Sequence, residues 1–153
     1  MKEHNQLDIA NEEFTVFLTK KNLRKTTERF AILKRIYSAD GFSSAESLFE
    51  TMQEDYRVSL ATIYNTLELL LECNLIVRHN FDGATAQYEK ASGNSVRHHL
   101  VCTNCGRVRE FSDKNIRIAI QSRRYANFKF NNYSLYVYGL CNNCLKKQKV
   151  TII

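Results

Sequence analysis

Two cysteine pairs place the tightest constraint on this chain: Cys102-Thr103-Asn104-Cys105 and Cys141-Asn142-Asn143-Cys144. A CxxC turn lets two thiolates reach one cation at about 2.3 Å, and two such turns complete a tetrahedron. Gly106 follows the first pair and suits the tight turn of a chelating knuckle. Four thiolates leave no coordination position open, so the expected role of the set is structural Zn²⁺ and not catalysis. A thioredoxin-type redox pair would need a CxxC at a helix start within a βαβ unit, whereas both pairs read as strand ends. Two disulfides would suit a secreted chain. The N-terminus, MKEHNQLDIANEEF, is too acidic and polar for a secretory signal. No apolar run approaches the roughly 18 residues of a membrane span. The expected compartment is the cytoplasm, where thiols stay reduced, with no membrane partner. The fifth cysteine, Cys73, reads as a core thiol, with redox sensing as the competing role.

At 153 residues the chain suffices for one ordinary domain or two small ones. Its net charge of +6 is unevenly spread. Residues 1–90 carry 11 Lys+Arg and 14 Asp+Glu, a net −3, while residues 91–153 carry 11 and 2, a net +9. Four thiolates around Zn²⁺ would bring the second segment to +7. Within the acidic first segment, KKNLRKTTERFAILKR (20–35) holds seven basic residues against Glu28. Such a run is either a solvated helix face or a strip for phosphates.

Hydrophobic spacing orders the elements. Ile9, Phe14, Phe17 and Leu18 predict a helix over 9–20. Thr26 or Thr27 can cap a second helix, TERFAILKRIY, with Phe30, Leu33, Ile36 and Tyr37 along one face. Ser43 and Glu46 form a capping-box pattern before a third, with Ala45, Leu48, Phe49 and Met52 as its apolar set. Ser59 caps a fourth, LATIYNTLELLLECN, whose Ile63, Leu67, Leu70 and Leu71 face the core and which stops at Asn74. LIVRHNF and ATAQYEK then read as strands joined at Asp82-Gly83. Helices followed by a β-hairpin are the order of a winged helix-turn-helix, with YRVS as the turn and the fourth helix as the recognition helix. ASGNSV (91–96) reads as a hinge. Beyond it come strand-like HLVCT and RVREF, a polar helix around Asp113–Ala126, and the alternating run FKFNNYSLYVYGLC. The whole is α+β, and its second part is small enough to need a metal, a disulfide or a partner subunit.

LRKTTERFAIL, SSAESL, SLATIYNTLELL, IVRHNFDG, HHLVCTNCGRVREF and SLYVYGLCNNC together resemble the ferric uptake regulator (Fur) family of bacterial metal- and peroxide-responsive repressors. The likeness spans about residues 20–147. It implies a winged-helix DNA-binding domain over 1–90, the hinge at 91–96, and a zinc-stapled α/β dimerisation domain over 97–153. The implied assembly is a homodimer on a palindromic double-stranded DNA operator. By family position, Arg24 enters the minor groove and Tyr64 packs on a thymine methyl. Asn65 stands where the family commonly has Arg, which would shift preference from guanine toward adenine. Lys25, Arg29 and Thr62 are candidate phosphate contacts, with solvated surface as the alternative for the two cations.

The resemblance weakens at the regulatory metal. Glu89, His99 and Glu110 match family ligands, but Phe42 and Arg97 replace two histidines. At the family's further C-terminal metal site the matching residues are His98, Arg117 and Tyr133. A reduced set of Glu89, His98, His99 and Glu110 leaves room for a second divalent ion (Fe²⁺, Mn²⁺ or Zn²⁺) held with less selectivity. Either His98 stands in for a lost ligand, or Arg97 and Arg117 supply fixed charge that does part of the metal's work. His79 reads as structural. The leading function is a transcriptional regulator; a zinc-ribbon interaction module and a thiol or metal enzyme are the alternatives.

Overall fold

The computed structural model of the chain describes residues 2–81, 85–91, 98–130 and 132–150. The Asp82-Gly83 turn and residues 92–97, which hold most of the expected hinge, lie outside these. The chain forms two compact units, Met1–Ala91 and Ser92–Ile153. Among the described residues, no helix is long and apolar enough to cross a membrane.

The first unit runs α1 (Lys2–Lys20), α2 (Thr27–Ser38), α3 (Ala45–Met52), α4 (Leu60–Glu72), β1 (Ile76–His79) and β2 (Gln87–Lys90). α1 begins well before Ile9, which is 49% exposed. Its buried stripe is Ala10, Phe14 and Leu18, each four residues after the last; Ile9 is out of phase with them on a 3.6-residue repeat. Thr26 caps α2 by accepting from the Arg29 amide, and Ile32, Leu33 and Ile36 are buried behind it. On α4 the buried face is Ile63, Thr66, Leu67 and Leu70, so Thr66 takes the place expected of Leu71. Ser59 caps this helix through the Thr62 amide at 3.1 Å. Asn74, at φ 59°, stops it in the left-handed conformation that asparagine tolerates.

The expected capping box at α3 shifts by one residue. Ser44 is the cap, accepting from the Ser47 amide at 3.1 Å. Ser43 is engaged elsewhere: its N–H donates to the Tyr88 carbonyl (2.9 Å) and its carbonyl accepts from the Tyr88 N–H (2.8 Å). This bridge adds a rung beside the β1–β2 hairpin, whose antiparallel register runs from Ile76↔Lys90 to His79↔Gln87. The four helices and the hairpin close over one apolar cluster that includes Phe14, Leu33, Ile36, Leu48, Ile63, Leu67, Ile76 and Tyr88.

The second unit runs β3 (His98–Cys102), β4 (Val108–Phe111), α5 (Lys114–Gln121), β5 (Leu135–Gly139) and α6 (Asn142–Val150). β3 is central, antiparallel to β4 and parallel to β5. Asp113 caps α5 by accepting from the Asn115 and Ile116 amides at 2.8 and 3.0 Å. α5 is shorter than its polar sequence suggested, and among the described residues of the run from Phe128 only Leu135–Gly139 is strand. Asn127, at φ 55°, turns the chain between them. α6 was not legible, because NNCLKKQKV carries almost no apolar periodicity. Among the described residues of this unit, only Val101, Cys102, Cys144, His98 and His99 are buried, a thin core.

Leu67→Ala should lower the stability of the first unit by about 2–5 kcal/mol, the range for a buried leucine left as a cavity. A urea titration followed by circular dichroism checks it; a loss below about 1 kcal/mol would mean α4 is not centred on this core.

Candidate nucleic-acid interface and metal centre

The sulfurs of Cys102, Cys105, Cys141 and Cys144 all lie within 4.8 Å of one another, and Cys105 and Cys141 are 3.8 Å apart. A tetrahedron with metal–sulfur bonds of about 2.3 Å has edges of about 3.8 Å, so this donor set fits Zn²⁺. Cys102 ends β3, and the following turn folds back as the Gly106 N–H donates to the Cys102 carbonyl with Gly106 at φ 73°. Cys141 directly precedes α6 and Cys144 lies in its first turn. The second pair therefore does open a helix, contrary to the strand-end reading. What separates it from a redox pair is the convergence of all four thiols. The parallel register sets Cys102 opposite Gly139, which brings the two pairs to the same end of the sheet. Backbone hydrogen bonds from Cys105 and Cys141 draw the Cys102 thiol down to about 6, and one from Cys144 lowers Cys141. Cys144, although lowered by its Asn104 hydrogen bond, is pushed up to about 11 by the adjacent Cys141 sulfur and by burial. Thiolate is the form a metal requires. Asn104 adds a side-chain donor to the Cys144 sulfur at 3.3 Å.

In the first unit, the outer face of α4 presents Tyr64, 41% exposed, and the exposed Asn65, opposite the buried Ile63–Leu70 stripe. Arg24 and Lys25 are exposed in the segment leading into α2. Arg29 is half-buried, and its guanidinium donates to the Arg24 carbonyl, which ties it to its own chain. Thr62 is likewise half-buried, with its hydroxyl 2.8 Å from that of Ser59. The Tyr64 hydroxyl donates to Glu46 of α3 at 2.6 Å. Sequence reading assigned Glu46 to a capping box and so missed this partnership.

The remaining candidates divide by unit and by face. In the first unit, His79 Nε2 lies 2.7 Å from Glu89 Oε1, with both residues buried. Phe42 stands edge-on to the His79 ring at 5.4 Å, and Phe81 stacks on it at 5.3 Å. An apolar ring thus occupies the position where the resemblance called for a histidine. In the second unit, strand alternation sends His98 and His99 to opposite faces of β3. His99 is the cross-strand partner of Glu110 and stacks on Tyr136 at 5.6 Å. His98 is packed against Phe111, and its Nε2 lies 2.8 Å from the Tyr133 hydroxyl. Two residues at positions of the further metal site therefore satisfy each other, and the third, Arg117, is a cation. That trio does not fit a divalent ion. Burial holds the Tyr133 phenol above its usual range, with Arg117 pulling the other way. Arg97 lies outside the described residues.

A family model described as "Ferric uptake regulator family" matches residues 20–138. The chain belongs to this family. It is 33% identical to the ferric uptake regulation protein of Campylobacter upsaliensis, with 99% of both chains covered. The ferric uptake regulator of Pseudomonas aeruginosa, solved with manganese, shares 34% identity over 82% of this chain and 95% of that one, at a TM-score of 0.69. The Helicobacter pylori Fur, a protein with three functional metal binding sites, matches at a TM-score of 0.72 over 91% of this chain and 93% of that one. At 21% identity this last likeness speaks to the fold alone. The Fur-family chain is of the class of metal-responsive, DNA-binding transcriptional repressors.

Two outcomes test this description. Tyr133→Phe leaves a nitrogen of the buried His98 without its partner and should destabilise the second unit by about 1–3 kcal/mol in denaturant melts; an unchanged midpoint would deny the bond any weight. Burial pushes the Cys73 thiol up to about 11. At pH 7.5 the zinc-loaded protein should therefore alkylate at Cys73 about a hundredfold more slowly than a free thiol, and reaction at the free-thiol rate would refute the burial argument.

Proposed function

We propose that this chain is a homodimeric, zinc-stabilised repressor that reads a palindromic double-stranded DNA operator in the cytoplasm, with an altered regulatory metal site. The observation that carries it is the α3–turn–α4 pair with its β1–β2 wing. One face of α4 is wholly core while the other presents Tyr64 and Asn65 near its N-terminal end, where recognition helices meet base edges. In this reading residues 1–90 are the DNA-binding domain and residues 97–153 pair two copies. Arg24 reaches the minor groove, Lys25 and Thr62 meet phosphates, Tyr64 and Asn65 read bases, and Arg29 shapes the segment that bears Arg24.

Pairing is supported by the second unit. β5 is an edge strand with Val137 44% and Tyr138 50% exposed, and α5 buries none of its residues while Ile118 is 48% exposed. An apolar edge strand is a template for another chain. Zn²⁺ at Cys102, Cys105, Cys141 and Cys144 would supply the stability that so thin a core lacks.

The regulatory donors that remain by family position are Glu89, His99 and Glu110. His98 belonged to the candidate set, but it faces the other side of β3 and is engaged by Tyr133. With Phe42 a non-donor, a second divalent ion adds little, and operator binding is weakly metal-dependent. A zinc-ribbon interaction module would leave the α3–α4 pair without a purpose. An enzyme would need an open coordination position or an activated nucleophile.

Elemental analysis after mild chelation, followed by operator binding, tests the metal arrangement. One Zn²⁺ per chain with nearly unchanged affinity is expected, and a second ion required for binding would remove the altered-site reading. Binding should also weaken steeply with salt, and Lys25→Ala should reduce the slope of log K against log salt by about 0.9, one phosphate's share. A flat salt dependence would count against DNA as the partner.

A further inference from the structure

Glu46 is an unusual residue to find beside a base-reading side chain. It lies in the first turn of α3, is exposed, and carries a negative charge that a nearby DNA backbone repels. Its position near the helix N-terminus accounts for tolerating a carboxylate there. It does not account for the 2.6 Å contact with Tyr64, a residue 18 positions along the chain and on a different helix. That length is typical of a hydrogen bond to an ionised carboxylate. The contact lowers the Glu46 carboxyl below its usual range and raises the Tyr64 phenol above its own.

The consequence concerns what Tyr64 can offer. Its hydroxyl proton is committed to Glu46, so the side chain is turned toward α3 and cannot also donate to a phosphate or a base acceptor. What remains available outward is the ring. An aromatic ring held in one orientation offers apolar contact, and the base edge that accepts it is the thymine 5-methyl group. We propose that Glu46 is a positioning residue for sequence reading: it fixes the Tyr64 ring as a detector of the thymine methyl. The inference rests on the reading above that α4 enters the major groove with Tyr64 toward a base.

The test uses the full-length, zinc-loaded protein and duplexes recovered from a random library by selection with it. Each thymine is replaced singly by deoxyuridine, which removes only the methyl. At one thymine per half-site the replacement should weaken binding about fourfold, the worth of one buried methyl group. Glu46→Ala should bring that ratio to near unity while leaving the salt slope unchanged, since no phosphate contact is lost. Glu46→Gln, which retains a carbonyl acceptor for the hydroxyl, should restore most of the ratio. Tyr64→Phe removes the same bond from the other side, should match Glu46→Ala, and adds no further loss in the double variant. Retention of the fourfold ratio in both Glu46→Ala and Tyr64→Phe would overturn the proposal. So would a Glu46→Ala protein that simply binds every duplex more tightly with its ratio intact, because Glu46 would then be only a repulsive charge. If the parent protein discriminates at no thymine and Tyr64→Ala binds as well as the parent, the failure lies instead with Tyr64 as a base reader, and the inference falls with it.

Discussion

The second unit depends on four sulfur atoms meeting at the end of a three-stranded sheet. Few of the described side chains there are buried, and α5 buries none. Apolar burial is the usual source of stability and scales with the area removed from water, so a unit of this size has little to draw on. The parallel β3–β5 register supplies the geometry instead, by placing Cys102 opposite Gly139. From that alignment the two CxxC turns face one another, and a metal that joins them ties together strands and helix at one point.

The first unit rests on ordinary packing and was correspondingly easy to read. Phe14, Leu33, Ile36, Leu48, Ile63 and Leu67 recur at helical spacing, and each is buried. Ser59 and Asn74 bound α4 as their side-chain and backbone chemistry requires. The errors fell where a distant residue decided between two local options. Ser43 and Ser44 are equally good caps in sequence, and the choice is made by Tyr88, which takes the backbone of Ser43. The helical setting of the second CxxC was hidden because α6 carries no amphipathic pattern to announce it.

The same division runs through the functional residues. The four-cysteine cluster was legible because a CxxC spacing is itself the chemistry that brings thiols together. Tyr64 and Asn65 were singled out by resemblance, and their exposure on α4 follows from the phase of the buried Ile63 and Leu67. The partnerships Glu46–Tyr64 and His98–Tyr133 were not, since they join residues 18 and 35 positions apart whose types give no hint of pairing. The separation of His98 from His99 could have been inferred from strand alternation alone. Once β3 is a strand, adjacent histidines cannot share a face.

The Ser43–Tyr88 bridge has a mechanical side. Ser43 immediately precedes the cap of α3, and Tyr88 is adjacent to Glu89 in β2, whose carboxylate meets His79 on the neighbouring strand. The hairpin is thereby spliced to the start of the helix-turn-helix at both of its backbone hydrogen bonds. The β2 strand is thus coupled to the entrance of α3 by two backbone hydrogen bonds, a second attachment beyond the covalent link from α4 into β1.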